Sequence, residues 1–252
     1  MLNLPDVTLI MIETRQHELA NLAVQDCIRQ ANFGDVLVFT DRASMFDVGK
    51  DCIIVDDFPD KLGWCQFVWL EVPRFVRTKH CLFIQWDSWI MDPDKWTDDF
   101  MDYDYIGSPW WYKDGKNVGN SGFSLKSTAL IRHVRKNADR YPCVSTLEDD
   151  LMCRTYRSKL EQDGFIWATE KVATEFAFEV KRPAPDSRHF GFHAMHNWGY
   201  VLDPERLIER ARIASRSPYI TQNSWMWDRL CQRNPDLVKD EEVARTRRAS
   251  NE

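Results

Sequence analysis

The residues best suited to chemistry in this chain are carboxylates and imidazoles set among aromatic side chains. Asp87 stands in "LFIQWDSWIMD" (82–92), between Trp86 and Trp89 and just after an apolar run. A carboxylate so placed needs a partner, because ionised groups are rarely buried unpaired. Glu148, Asp149 and Asp150 form an acidic run in "STLEDDLMCR". Ser145, three residues before Glu148, has the capping-box spacing and predicts a helix start. The dipole then favours negative charge in the first turn while adjacent acids repel, so the run reads either as helix capping or as a catalytic acid or base. His193 and His196, three apart in "HFGFHAMHNW", suit shared metal ligation only where one helical turn carries both, and otherwise read as structural histidines. The glycines of "GKNVGNSG" fit neither the dinucleotide fingerprint nor a P-loop, which argues against nicotinamide and kinase chemistry. They predict either a plain loop or a turn whose backbone approaches a ligand closely before a short strand at Phe123–Leu125.

These groups need a frame. "VTLIMIE" (Val7–Glu13), "DVLVFTD" (Asp35–Asp41) and "CLFIQWD" (Cys81–Asp87) are short apolar runs closed by polar residues and read as buried strands. Between the first two, Leu19, Leu22, Ala23, Asp26, Cys27 and Gln30 trace a helical stripe that Gly34 is placed to stop. A second helix is expected from roughly Leu62 to Arg77, kinked or broken at Pro73. The alternation predicts an α/β fold, a central mostly parallel sheet flanked by helices and Rossmann-like in plan. Such sheets bind ligands beyond the carboxyl ends of their strands, where Thr14, Arg15, Asp41 and Asp87 are expected to gather.

Hydrophobic residues at 44% and charged residues at 29% are globular values, and one domain is expected over residues 1–235 with a charged, mobile tail over 236–252. No run of about 18 apolar residues suggests a membrane span, and the N-terminal stretch lacks a basic region and a cleavage site, so a cytoplasmic protein is expected. The seven cysteines include no C-x-x-C pair, as for buried thiols in a reducing compartment and unlike a zinc framework. A net charge of −6 offers no general footprint for nucleic acid. The arginine clusters at 210–216 and 245–248 read as a solvated helix face and a frayed tail, or else as a basic acceptor-binding rim.

The ordered segments "LFIQWDSWIMDPDKW", "YDYIGSPWW", "VGNSGFSLKS", "LEDDLMCR" and "FGFHAMHNW" together resemble a poorly characterised family of GT-A-like glycosyltransferases, catalogued mainly as a domain of unknown function. The resemblance covers roughly residues 5 to 200. It implies a GT-A fold, a nucleotide-sugar donor (a UDP-sugar foremost) and metal-assisted transfer to a hydroxyl. "QWD" falls where such enzymes carry D-x-D, with Gln85 replacing the first acid and Asp87 keeping the metal-binding one. The implied cation is Mn²⁺ or Mg²⁺, closed by a late histidine, His193 in preference to His196. Donor contacts fall to Thr14, Arg15, Asp41, Gln85 and Asp87. Carried over in the same way, Asp149 is the base of an inverting transfer, Glu148 a helper that caps the helix or binds acceptor, and Asp150 the fallback. Asn120, Ser121 and Gly122 would lie under a sugar. Trp110 and Trp111 offer faces for stacking, or else pack in the core. The acceptor is a glycan, a lipid-linked sugar or a modified nucleic-acid base. The competing reading is a degenerate domain that binds nucleotide or glycan without turnover.

Overall fold

The computed structural model describes residues 1–49, 51–180, 189–222 and 224–244. Its first third alternates as expected: β1 (Leu2–Ile12), α1 (His17–Gln30), β2 (Ala31–Thr40), β3 (Ile53–Ile54), α2 (Lys61–Leu70) and β4 (His80–Ile84). Pro73 does break the second helix, beginning a separate 3₁₀ turn at Val72–Arg74. Then follow β5 (Trp89–Ile90), β6 (Tyr105–Gly107), β7 (Phe123–Ser127) and α3 (Thr128–Lys136). The central sheet has the order β3-β2-β1-β4-β7-β6. Its first four strands are parallel, and β7 runs antiparallel to both β4 and β6.

The continuous apolar runs have a clear cause: both faces of the sheet are covered. Along β1, Leu9 and Met11 join one core with Leu82, Ile84 and the α1 residues Leu19, Ala23 and Cys27. Ile10 and Ile12 enter another with Phe83, Val68 and Ile131. Alternation sends successive side chains to opposite faces, so a strand covered twice has no polar face.

Gly34 does not stop α1. The helix ends at Gln30, and Gly34 lies inside β2 opposite an irregularity in β1, where Leu4 and Thr8 pair with Phe33 and Asp35. A Cβ at Gly34 would meet the Pro5 carbonyl oxygen at 1.9 Å. The residue permits a close backbone approach rather than a left-handed cap.

The remaining elements are α4 (Glu148–Asp150), which runs into a π-helical turn at Leu151–Thr155 and then α5 (Arg157–Gln162); α6 (Glu170–Phe176); β8 (Ala177–Phe178); β9 (Gly191–Phe192); α7 (Trp198–Val201); α8 (Pro204–Ser215); α9 (Pro218–Gln222); and α10 (Ser224–Arg233). A second small sheet, β5-β9-β8, stands beyond β4. Buried Asp26 on α1 is bonded by Arg29, by Arg206 at 2.6 Å and by Arg210, whose guanidinium is 2% exposed and lies 4.1 Å over the Trp89 ring. Burial lowers the Arg210 pKa to about 10, with Asp26 opposing the fall, so the group remains cationic near neutrality.

Part of the segment expected as a tail, 236–252, is packed: Leu237 and Val243 are buried in the core and Asp240 pairs with Arg212 at 2.7 Å. The 245–248 arginines lie outside the described residues. Among the described residues no helix is long and apolar enough to cross a membrane, and Cys52 is half-buried while the other six cysteines are buried.

Candidate active site

The site assembles where β4 meets β7. The Gln85 backbone N–H donates to the Gly122 carbonyl at 3.1 Å, and the Ser88 hydroxyl donates to the same oxygen at 2.5 Å. The turn carrying Asp87 is thus fastened to the glycine turn before β7. β5 then pairs with β9 in the register Trp89 to Phe192, which delivers the next residue, His193, to Asp87.

Asp87 is 2% exposed, and its Oδ2 accepts from the Met195 N–H at 3.2 Å. Its Oδ1 has no hydrogen-bond partner and lies 3.4 Å from His193 Nε2. On the other side, His193 Nδ1 is 3.0 Å from Glu179 Oε1, while Glu179 Oε2 accepts from Asn120 Nδ2 at 2.7 Å. Burial alone would lower the imidazole pKa, but Asp87 and Glu179 outweigh it and hold the ring protonated, up at about 10.

The neighbouring tryptophans are core. Trp86 and Trp89 pack on Trp198 at 6.0 and 6.3 Å. The two histidines do not share a helical turn: Ala194, at φ 78°, reverses the chain between them. His196 lies by the Trp225 ring, and burial, reinforced by Arg233 and Arg229, depresses its pKa to about 4.

A buried carboxylate oxygen facing an imidazole nitrogen is a donor pair suited to Mn²⁺ or Mg²⁺, with positions left for ligand oxygens, once the cation displaces the Nε2 proton that pairs the ring with Asp87. The residues therefore fit a cation held by Asp87 and His193. Among the described residues, no group of three acidic, histidine or cysteine side chains is arranged to hold one. Gly122 makes the room, since a Cβ there would meet the His193 ring at 2.2 Å. Gly122→Ala is expected to displace the ring, lower stability by about 1–3 kcal/mol and abolish any Mn²⁺-dependent shift in melting temperature. A variant that melts and responds to Mn²⁺ like the wild type would contradict that packing.

The glycine turn also reaches the acidic run. Asn120 takes a left-handed φ of 62°, and its Oδ1 accepts from Gly122 N–H, an arrangement asparagine tolerates well. Ser121 N–H donates to Asp149 Oδ2 at 3.3 Å, and the Ser121 hydroxyl donates to Glu148 Oε2 at 3.0 Å. Ser145 is not the N-cap and Glu148 does not close a capping box. The helix begins after Leu147 without a side-chain cap, because the buried Glu148 carboxylate is taken up by Ser121, by the Asp149 N–H and by Lys126 at 3.3 Å. Asp149 is half-buried, and desolvation, reinforced by Glu148 and opposed by Lys126, raises its pKa to about 6. Asp150 turns to Arg154 at 3.6 Å.

An open cleft of about 400 Å³ lies at the ends of β1 and β4, lined among others by Glu13, Thr14, Arg15, Lys61, Trp64, Gln85 and Tyr219. Glu13 Oε1 shapes its rim by accepting from the Arg15 and Gln16 N–H groups. Asp41 does not line the cleft and instead bonds His17 Nε2 at 2.5 Å. Trp110 packs over Gly119, whose Cβ it would exclude, whereas Trp111 is 63% exposed. Glu179 went unrecognised in the sequence because it follows a two-residue strand with no motif around it. The 210–216 arginines are all paired, Arg210 with Asp26, Arg212 with Asp240 and Arg216 with Glu18, so they do not form the free basic rim that a nucleic-acid acceptor would use.

Comparison with solved structures finds the galactosyltransferase LgtC, in complex with donor and acceptor sugar analogues, at a TM-score of 0.50 and 14% identity, covering 80% of this chain and 94% of that one. The apo-form glycosyltransferase GlyE of Streptococcus pneumoniae TIGR4 matches at 0.42 and 10%, covering 75% of this chain, which spans only 54% of GlyE. A glycosyltransferase involved in glycosylating the major capsid of PBCV-1 matches at 0.46 and 10%, covering 74% of this chain and 91% of that one. At these identities the likeness concerns the fold, which is of the GT-A type. No curated protein matches the chain. Residues 72–193, which include Asp87, Asn120–Gly122, Lys126, Glu148–Asp150, Glu179 and His193, match the model of a family described as "Protein of unknown function (DUF5672)".

Proposed function

We propose that the protein is a glycosyltransferase that moves a sugar from a nucleotide-sugar donor, a UDP-sugar foremost, to a hydroxyl acceptor with inversion. The observation that carries this reading is the buried Asp87 carboxylate, whose Oδ1 faces His193 Nε2 at 3.4 Å, two residues beyond the Gln85 that lines the cleft. A divalent cation held by Asp87 and His193 would, when bound, neutralise charge developing on the leaving nucleoside diphosphate.

The chain's own groups supply the rest. Arg15 and Lys61 in the cleft suit the donor phosphates, and Trp64 and Tyr219 suit its base. Asp149, half-buried with a raised pKa, takes the proton of the acceptor hydroxyl. Exposed Trp111, beside Tyr112 at 5.2 Å, gives the acceptor an aromatic face. Asn120 and Ser121 act indirectly, since their side chains are spent on Glu179 and Glu148.

The test is thermal melting of wild type and Asp87→Ala against a panel of nucleoside diphosphate sugars, each with and without Mn²⁺. Ligand that binds only the native state raises the melting temperature by mass action. The expected result is a shift with one donor that needs the metal and vanishes in Asp87→Ala. No shift with any donor would sink the transferase reading, and a shift with no turnover, even by slow hydrolysis, would favour the degenerate binding domain. A product of retained anomeric configuration would overturn inversion alone.

A further inference from the structure

The buried cation behind the acidic run has no part in the reaction described so far. Lys126 lies on β7, 1% exposed, with Nζ 3.3 Å from Glu148 Oε1, 4.3 Å over the Phe83 ring and 5.4 Å over that of Tyr105. An ammonium so deeply buried needs its counter-charge, and Glu148 needs it in return. Glu148 passes the constraint on through its second oxygen, which accepts from the Asp149 N–H at 2.6 Å and from the Ser121 hydroxyl. Ser121 then donates its own N–H to the Asp149 carboxylate. The chain of contacts runs from one buried ammonium to both the backbone and the side chain of the residue read as the base.

We infer that Lys126 is a positioning residue for the transfer: acting through Glu148, it fixes the Asp149 carboxylate beside Ser121 and keeps that carboxylate ionisable in a desolvated setting. The inference rests on Asp149 as the base. The groups around Asp149 divide by sign. Glu148 disfavours its ionisation and Lys126 favours it, while Cys153 and Tyr105 face it as neutral groups whose own ionisation burial opposes. Asp150 and Arg154, paired with each other, lie beyond. Replacing the cation and replacing the neighbouring acid must therefore move Asp149 in opposite directions, which mere loosening of the packing does not do.

The experiment is direct titration of Asp149 by carboxyl carbon NMR in protein labelled with [4-¹³C]aspartate, the resonance assigned by its loss in Asp149→Asn. The wild-type midpoint is expected near pH 6. Lys126→Met is expected to raise it, and Glu148→Gln to lower it, each by about one unit, with the double variant between the two and Lys126→Arg close to wild type. Midpoints that stay put, or that move the same way in both single variants, overturn the proposal. Should Lys126→Met not fold, Glu148→Gln and the double variant decide, and a Glu148→Gln midpoint that does not fall overturns it. Opposed shifts in a protein that binds no nucleotide-sugar would leave the coupling standing and remove only the transferase reading.

Discussion

Asp149→Asn is expected to lower transfer by roughly 100- to 10,000-fold, the usual contribution of a positioned general base, while the donor-induced melting shift persists. The amide keeps the shape and loses the basicity. The sign of the pH dependence follows from the raised pKa. A base held at about 6 is protonated and idle below that value, so the wild-type kcat/KM should climb between pH 5 and 7 and then level, and this limb should be absent from the residual activity of Asp149→Asn. The linkage to stability has the opposite sense: the fold disfavours the ionised carboxyl, so the cost appears as pH rises from about 4 through 6 and is absent below. Asp150→Asn is the control, and near wild-type activity is expected because that side chain is turned to Arg154. Loss of activity in Asp150→Asn with retention in Asp149→Asn would exchange the two roles.

The second large effect concerns stability. Asp26→Ala should cost about 3–5 kcal/mol, because it strands the buried Arg210 guanidinium over the Trp89 ring without the carboxylate that pairs with it. Urea denaturation at neutral pH measures it as a lower midpoint at unchanged slope. A replacement of both partners by apolar side chains, Asp26→Leu with Arg210→Met, should recover most of the loss, since a buried ion pair often adds little over well-packed hydrophobic residues. Single and double variants that are equally unstable would mean that the pair contributes packing alone.

What the sequence disclosed and what it hid follow the range of the interactions involved. The strands at Val7, Asp35 and Cys81 were legible because a sheet covered on both faces forces continuous apolar runs, and Pro73 was legible because its ring and missing N–H act locally. Gly34 and Glu148 were misread for one reason: each carries a strong local signal that a distant partner overrides. For Gly34 that partner is the Pro5 carbonyl across the sheet, and for Glu148 it is Lys126 on a neighbouring strand. The meeting of Asp87 with His193 depends on paired strands of two residues each, too short to leave a pattern. Resemblance to a family supplied both residues, and spacing supplied neither. Glu179 had neither kind of support. Asp41 was placed by the general habit of open sheets, yet a local histidine claims its carboxylate.

The bond between Asp26 and Arg210 joins residues 184 positions apart. A ribosome adding roughly 5–20 residues per second needs on the order of ten to forty seconds to make that span. Throughout that interval α1 has emerged without the helix that neutralises its buried acid and covers its apolar face. Completion of this half of the core therefore waits until α8 has been made. Until then the nascent chain exposes the kind of surface that chaperones hold.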